Sequence, residues 1–254
     1  MFDELFLVPF LTGLVFAVLL PVLGCYLRLR DEWLAALAYA HVAAAGALLA
    51  LVVGLPPLAG GLGLTGMVGA GKQVLARRLN AGAGYASLLL AGWAVSVLLA
   101  ANQPMAERLG HALFDGQLYF SDTNQLITAV VALILSVAIL SRLSKHLLLA
   151  KVYPDLFRLR RLPGRLIHGG FDVLAALGLA LGTMSLGVMG AFALVFVPPW
   201  LAFRRAANWR SGLFWAILIG LGAYLAAFAL ALLLDQPFGP VLALILVLLG
   251  ITIA

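Results

Sequence analysis

Residues 171–203 read FDVLAALGLALGTMSLGVMGAFALVFVPPWLAF. Basic residues bracket this apolar stretch: Arg158, Arg160, Arg161 and Arg165 precede it, and Arg204, Arg205 and Arg210 follow it. Short loops rich in Lys and Arg stay on the cytoplasmic side of a membrane. With both flanks cytoplasmic, the stretch crosses an even number of times. A single long helix would strand Arg204, Arg205 and Arg210 on the far side. The sequence therefore predicts a hairpin of two short helices turning near Leu186–Gly187.

The rest of the chain fits a membrane setting. Of its 254 residues, 64% are hydrophobic and 10% are charged. Soluble domains carry about 45–50% apolar and about 25% charged residues, so a soluble fold would have to expose a largely apolar surface. Disorder is excluded by the same numbers. A disulfide scaffold is excluded by the single Cys25. The acidic start, Met1-Phe-Asp-Glu, and the long run Leu5–Leu27 argue for a retained span rather than a cleaved signal.

Working outward from the hairpin, apolar runs occur at Leu5–Leu27, Leu34–Leu55, Pro57–Gly71, Ala81–Ala101, Gln125–Leu140, Phe171–Leu186, Val188–Phe203, Leu213–Leu234 and Phe238–Ala254. About 20 residues of helix cross the hydrocarbon layer. The expected fold is an all-α integral membrane protein, a polytopic bundle of about 8–9 transmembrane helices that includes the hairpin at 171–203. The whole chain, 1–254, reads as one transmembrane domain. Transmembrane β-barrels show alternating segments of about ten residues, and these runs are continuously apolar instead.

Charge placement orients the bundle. With the N-terminus outside and nine crossings, the inner loops hold Arg28 and Arg30; Lys72, Arg77 and Arg78; Arg142, Lys145, Lys151, Arg158, Arg160, Arg161 and Arg165; and Arg204, Arg205 and Arg210. These are 15 of the 16 basic residues, and only Arg108 falls outside. The net charge of +6 thus sets orientation beside membrane lipid rather than nucleic-acid binding. The outer segment 102–124 has mixed polarity, with Asp122 and Gln125 placed to cap the fifth span. The inner segment 142–170 is the most basic part of the chain. It is long enough for short surface helices, and reads either as an orientation signal beside anionic lipid or as a docking surface for a cytoplasmic partner.

Gly66-Met-Val-Gly-Ala-Gly71-Lys72 matches the spacing of a phosphate loop. The next residue is Gln73, which has no hydroxyl for magnesium, and no buried strand precedes the run. Helix packing explains the glycines, and Lys72 is expected at the inner membrane face. Asp172 is expected at a helix start, where its carboxylate suits the dipole. Among ionisable residues, His41 alone is expected within a span. It can serve as a metal ligand, a proton carrier or a core histidine bonded to a carbonyl. Positions 37, 38, 44 and 45 are Leu, Ala, Ala and Ala, so any metal partner must come from another helix. No constellation of catalytic side chains is evident, and neither an enzymatic activity nor a cofactor is expected.

Six landmarks occur in a familiar order: Pro21-Val-Leu-Gly24 leading to Arg28 and Arg30; His41-x-x-x-x-Gly46; Leu113-Phe-Asp-Gly116; Pro154-Asp155-Leu156; Gly187 followed by Pro198 and Ala202; and Asp235-Gln-Pro-Phe-Gly-Pro240. Together they resemble the membrane permease subunit of the ABC importers that take up zinc, manganese or iron. The sequence departs at Leu37, where the family usually carries an Asp one turn before the His. The resemblance implies a multi-pass protein of the bacterial inner membrane. It implies two permease copies, a separate ATP-binding subunit and an extracytoplasmic substrate-binding protein. It places His41 on the metal path and a cytoplasmic coupling segment at 151–170, with Tyr153, Pro154, Asp155, Leu156, Phe157 and Arg158 meeting the ATPase. A stand-alone channel or secondary transporter, or a membrane assembly factor without cargo, is the rival reading. A secondary transporter would usually show membrane-embedded carboxylates or inverted repeats.

Overall fold

The computed structural model describes residues 4–75, 81–160 and 162–253. Arg77, Arg78 and Arg161 lie outside them. Among the described residues there is no strand. The helices are α1 (Glu4–Leu29), α2 (Trp33–Val52), α3 (Pro57–Leu75), α4 (Ala81–Asn102), α5 (Pro104–Asp115), α6 (Thr123–Val152), α7 (Pro154–Leu159), α8 (Gly164–Leu186), α9 (Val188–Arg205), α10 (Trp209–Leu234) and α11 (Phe238–Ile253), with a 3-10 turn at Leu118–Phe120. Seven of them are long and apolar enough to cross a membrane: α1, α2, α4, α6, α8, α9 and α10. The shorter apolar α11 and the glycine-rich α3 coincide with the two remaining apolar runs of the sequence.

The boundaries have local causes. Asp122 Oδ1 accepts from the Gln125 amide at 2.8 Å and caps α6, and Asn208 Oδ1 accepts from the Ser211 amide at 2.9 Å and caps α10. Pro57, Pro104 and Pro154 open α3, α5 and α7, where a missing amide hydrogen costs nothing. Gly187 separates α8 from α9 with φ 81°, a backbone conformation essentially reserved for glycine. The expected hairpin is present, turning at that residue.

Two expectations about the inner segment are corrected. The fifth span does not end near Leu140: α6 continues to Val152, because the leucines at 143, 147, 148 and 149 keep an apolar stripe beside Arg142, Lys145 and His146. His146 is therefore helical rather than in a loop. The next span does not begin at Phe171: α8 begins at Gly164 and carries His168 and Asp172 within it. Of the expected short surface helices, one forms, α7.

The alanine-rich α2 is the central helix, packed by α3, α4, α8 and α9. Of its apolar window 78% is buried, against 17% for α6, so α2 belongs to the interior and α6 to the lipid-facing rim. Small residues bring the backbones together. A Cβ on Gly46 would lie 2.5 Å from the Gly60 carbonyl of α3, and one on Gly220 would lie 2.9 Å from the Ala17 carbonyl of α1. Gly178 and Gly182 of α8 admit the Leu23 and Leu20 side chains of α1.

The two ends of the bundle differ in content. Arg28 donates to the Trp200 carbonyl at 3.5 Å, Lys151 pairs with Asp31, and the Phe157 ring lies against His168. These contacts gather the termini of α1, α2, α6, α7, α8 and α9 at one end, where the described basic loops also meet. At the other end, Gly116, Gly187 and Gly239 converge: a Cβ on Gly187 would lie 2.7 Å from the Gly116 amide, and one on Gly239 would lie 2.6 Å from the Asp115 carbonyl. Three landmarks remote in sequence are thus one backbone junction.

Candidate functional site

His41 lies mid-way along α2 and is buried, 4% exposed. Its Nδ1 is 2.9 Å from the Leu37 carbonyl. A carbonyl only accepts, so Nδ1 carries the hydrogen and, in the neutral ring, Nε2 keeps its lone pair. The Phe114 ring of α5 meets the imidazole edge-on at 6.1 Å. Gly92 of α4 presses on the His41 backbone, where an added Cβ would lie 2.8 Å from the His41 carbonyl carbon. The imidazole therefore sits where α2, α4 and α5 meet. Among the described residues no group of three or more His, Cys, Asp or Glu side chains could hold a metal ion. His41 offers one ligand, and Leu37 supplies a bonded carbonyl rather than a carboxylate.

His41 is not the sole ionisable group buried in the helices. Asp172, 2% exposed, is the ninth residue of α8 rather than a helix-start carboxylate. Arg30 approaches it at 2.9 Å and Lys72 at 2.8 Å. Glu32 completes the set, 2.8 Å from Lys72 and 3.2 Å from Arg30. Two cations and two carboxylates from the α1–α2 turn, α3 and α8 make a neutral cluster. Burial works against the Arg30 charge, but the Asp172 and Glu32 carboxylates outweigh it and raise its pKa. Lys72 thus joins three parts of the chain instead of merely marking a membrane face. The run Gly66–Lys72 lies inside α3, where its amides serve the helix and not a phosphate.

Sequence reasoning missed this cluster because its partners are far apart; Lys72 and Asp172 are 100 positions apart. One signal was available: Arg30, Glu32, Lys72 and Asp172 all flank apolar runs on the side that charge sorting assigns to the cytoplasm.

The cluster touches the segment expected to dock a partner. Arg30 donates to the His168 carbonyl at 3.4 Å, and the His168 ring lies 6.1 Å from Phe157 of α7. Phe157 is partly buried and packs on the core. Pro154 and Asp155 are exposed, as are Val152, Tyr153, Leu156 and Leu159. The side chain of Arg158 lies outside the described residues. The structure brings α7 beside the cluster, and leaves His41 remote from both, near the glycine junction formed by Asp115, Gly116 and Gly187.

Comparison with known proteins gives this arrangement its class. A model of the family described as "ABC 3 transport family" matches residues 2–254. The chain belongs to that family. It is a multi-pass membrane permease of the bacterial ABC transporter class, a transport family. The chain is 24% identical over 231 residues to the "Probable iron transport system membrane protein" of Haemophilus influenzae, covering 90% of this chain and 85% of that protein. It is 26% identical over 251 residues to the "Chelated iron transport system membrane protein YfeD" of Yersinia pestis, covering 96% and 84%. The fold matches PsaBC from Streptococcus pneumoniae, solved in complex with Fab, with a TM-score of 0.86, 17% identity and coverage of 99% and 91%. It also matches an inward-facing metal-chelate type ABC transporter with a TM-score of 0.79, 19% identity and coverage of 96% and 84%.

Proposed function

We propose that this chain is the permease subunit of an ABC importer for a divalent metal ion: zinc, manganese or iron. The observation that carries the reading is family membership over residues 2–254, joined to relatives whose printed names are iron transport membrane proteins. The whole chain serves as one permease domain. Two copies line the path, a separate ATP-binding subunit sits beneath each, and an extracytoplasmic binding protein delivers the cargo. The chain hydrolyses no ATP itself.

In this reading His41 contacts the passing cation through Nε2. Segment 151–170 is the coupling element. Exposed Tyr153, Pro154, Asp155 and Leu156 meet the ATPase, with Arg158 beside them, while Phe157 anchors α7 to His168 from within. ATP binding draws the two ATPases together, and rigid-body movement of the helices switches access between the two sides. Asp172 is already charge-paired within the protein, with Arg30 and Lys72 both on its Oδ1. This favours an external ATPase over a secondary transporter.

Asp155→Lys combined with Leu156→Asp tests the coupling. Both positions are exposed, so the permease is expected to insert and purify normally while transport-stimulated ATPase activity of the assembled complex is lost. Retention of full stimulation would remove α7 from the coupling role.

A further inference from the structure

We propose that Glu107 and His111 of α5 form an outer divalent-cation site that loads the path to His41; this rests on the import function above. The two residues are four apart, which places a carboxylate and an imidazole one above the other on a helix. Ala106, Gly110 and Leu113 of α5 are buried, whereas Glu107 and His111 are exposed. Both line a single cavity of about 300 Å³ between α4 and α5. Phe114 also lines that cavity, and its ring is the one that meets the His41 imidazole at 6.1 Å. One aromatic ring is thus shared by the outer pair and the buried histidine. α5 belongs to the end of the bundle opposite the basic loops, the end at which an imported cation arrives.

The chemistry of the pair suits a transition-metal or zinc ion, which takes carboxylate oxygen and imidazole nitrogen together. With two protein ligands, water must complete the shell, and the hold is correspondingly weak. Weak binding is what passage requires, since a cation must leave the site as readily as it enters. Arg108, next in sequence to Glu107, lines a different cavity with Met105 and Ala112. Ser96, on the cavity wall, donates its hydroxyl hydrogen to the Gly92 carbonyl at 2.8 Å. The alternative for such a pair is a solvated surface contact with no ligand.

The test is a Mn2+ titration, read by electron paramagnetic resonance, of the purified permease–ATPase complex carrying Glu107→Gln, His111→Asn or neither. Both positions are exposed, and neither change alters side-chain volume much. Losing one of two ligands is expected to weaken Mn2+ binding at least about tenfold. In proteoliposomes the Mn2+ concentration for half-maximal uptake is expected to rise several-fold with the maximal rate retained. Equal Mn2+ affinity in all three proteins overturns the proposed site and leaves the import function standing. A wild-type complex that binds Mn2+ through Glu107 and His111 yet moves no divalent cation overturns the import function instead.

Discussion

The two ends of this bundle are held by different physics. At the inner end, long charged side chains reach across gaps: Arg30, Glu32, Lys72 and Asp172 span the α1–α2 turn, α3 and α8 at 2.8–3.2 Å. At the outer end, backbones touch because side chains are missing: Gly116, Gly187 and Gly239 let α5, the α8–α9 turn and α11 come within van der Waals reach. Side-chain ion pairs tolerate small displacements of the helices that carry them. A glycine junction does not, since its close contacts are lost once the backbones separate. The difference teaches that the outer end is built as a fixed hub next to the His41–Phe114 contact. The inner end, beside α7, is joined by charged side chains instead.

The sharpest way to break the comparison is Gly187→Ala. The residue has φ 81° and ψ 164°, and its Cβ would fall 2.7 Å from the Gly116 amide. Backbone strain and overpacking together are expected to cost about 4 kcal/mol. Thermal unfolding of the detergent-solubilised protein, followed by fluorescence-detected size exclusion, should show a large fall or no folded peak. Next in size is Asp172→Asn, which leaves Arg30 and Lys72 short of a buried counter-charge. Removing one partner of a buried pair is expected to cost about 3 kcal/mol. In the same assay, adding Lys72→Met should recover part of the loss, which a purely steric effect of Asn would not allow. Smallest is Lys151→Ala, which breaks the pair with Asp31. Their side chains are 49% and 75% exposed, and exposed pairs are worth less than about 1 kcal/mol. Any shift should vanish in high salt. A drop as large as that of Asp172→Asn would show that the inner end is one extended network reaching α6.

The same contrast explains what the sequence revealed. The hairpin was legible because basic flanks demand an even number of crossings. The Asp122 and Asn208 caps have local signatures, although only Asp122 was recognised. The end of α6 was not legible from apolarity alone. Arg142, Lys145 and His146 interrupt the hydrophobic run without interrupting the helical stripe. The position of Asp172 within α8 is hidden for the same reason, since Arg165 and His168 place the first two turns of α8 among polar residues. The direction of Phe157 depends on His168 from another helix, which no local pattern encodes. His41 was found because a lone imidazole in an alanine-rich helix stands out. Its neighbour Phe114 was visible only as part of a motif, and its contact with His41 required the fold.

The central claim is that this permease moves a divalent metal cation past His41 under ATPase control. The direct measurement is ATP-dependent uptake of zinc, manganese and iron by proteoliposomes. These would hold the permease, its ATPase and its binding protein, with wild-type chain or His41→Ala. The account predicts ATP-driven accumulation of at least one of these metals by the wild type and a strongly reduced maximal rate for His41→Ala. Equal uptake by both proteins would take His41 off the path, and no ATP-driven uptake of any of the three by the wild type would contradict the account.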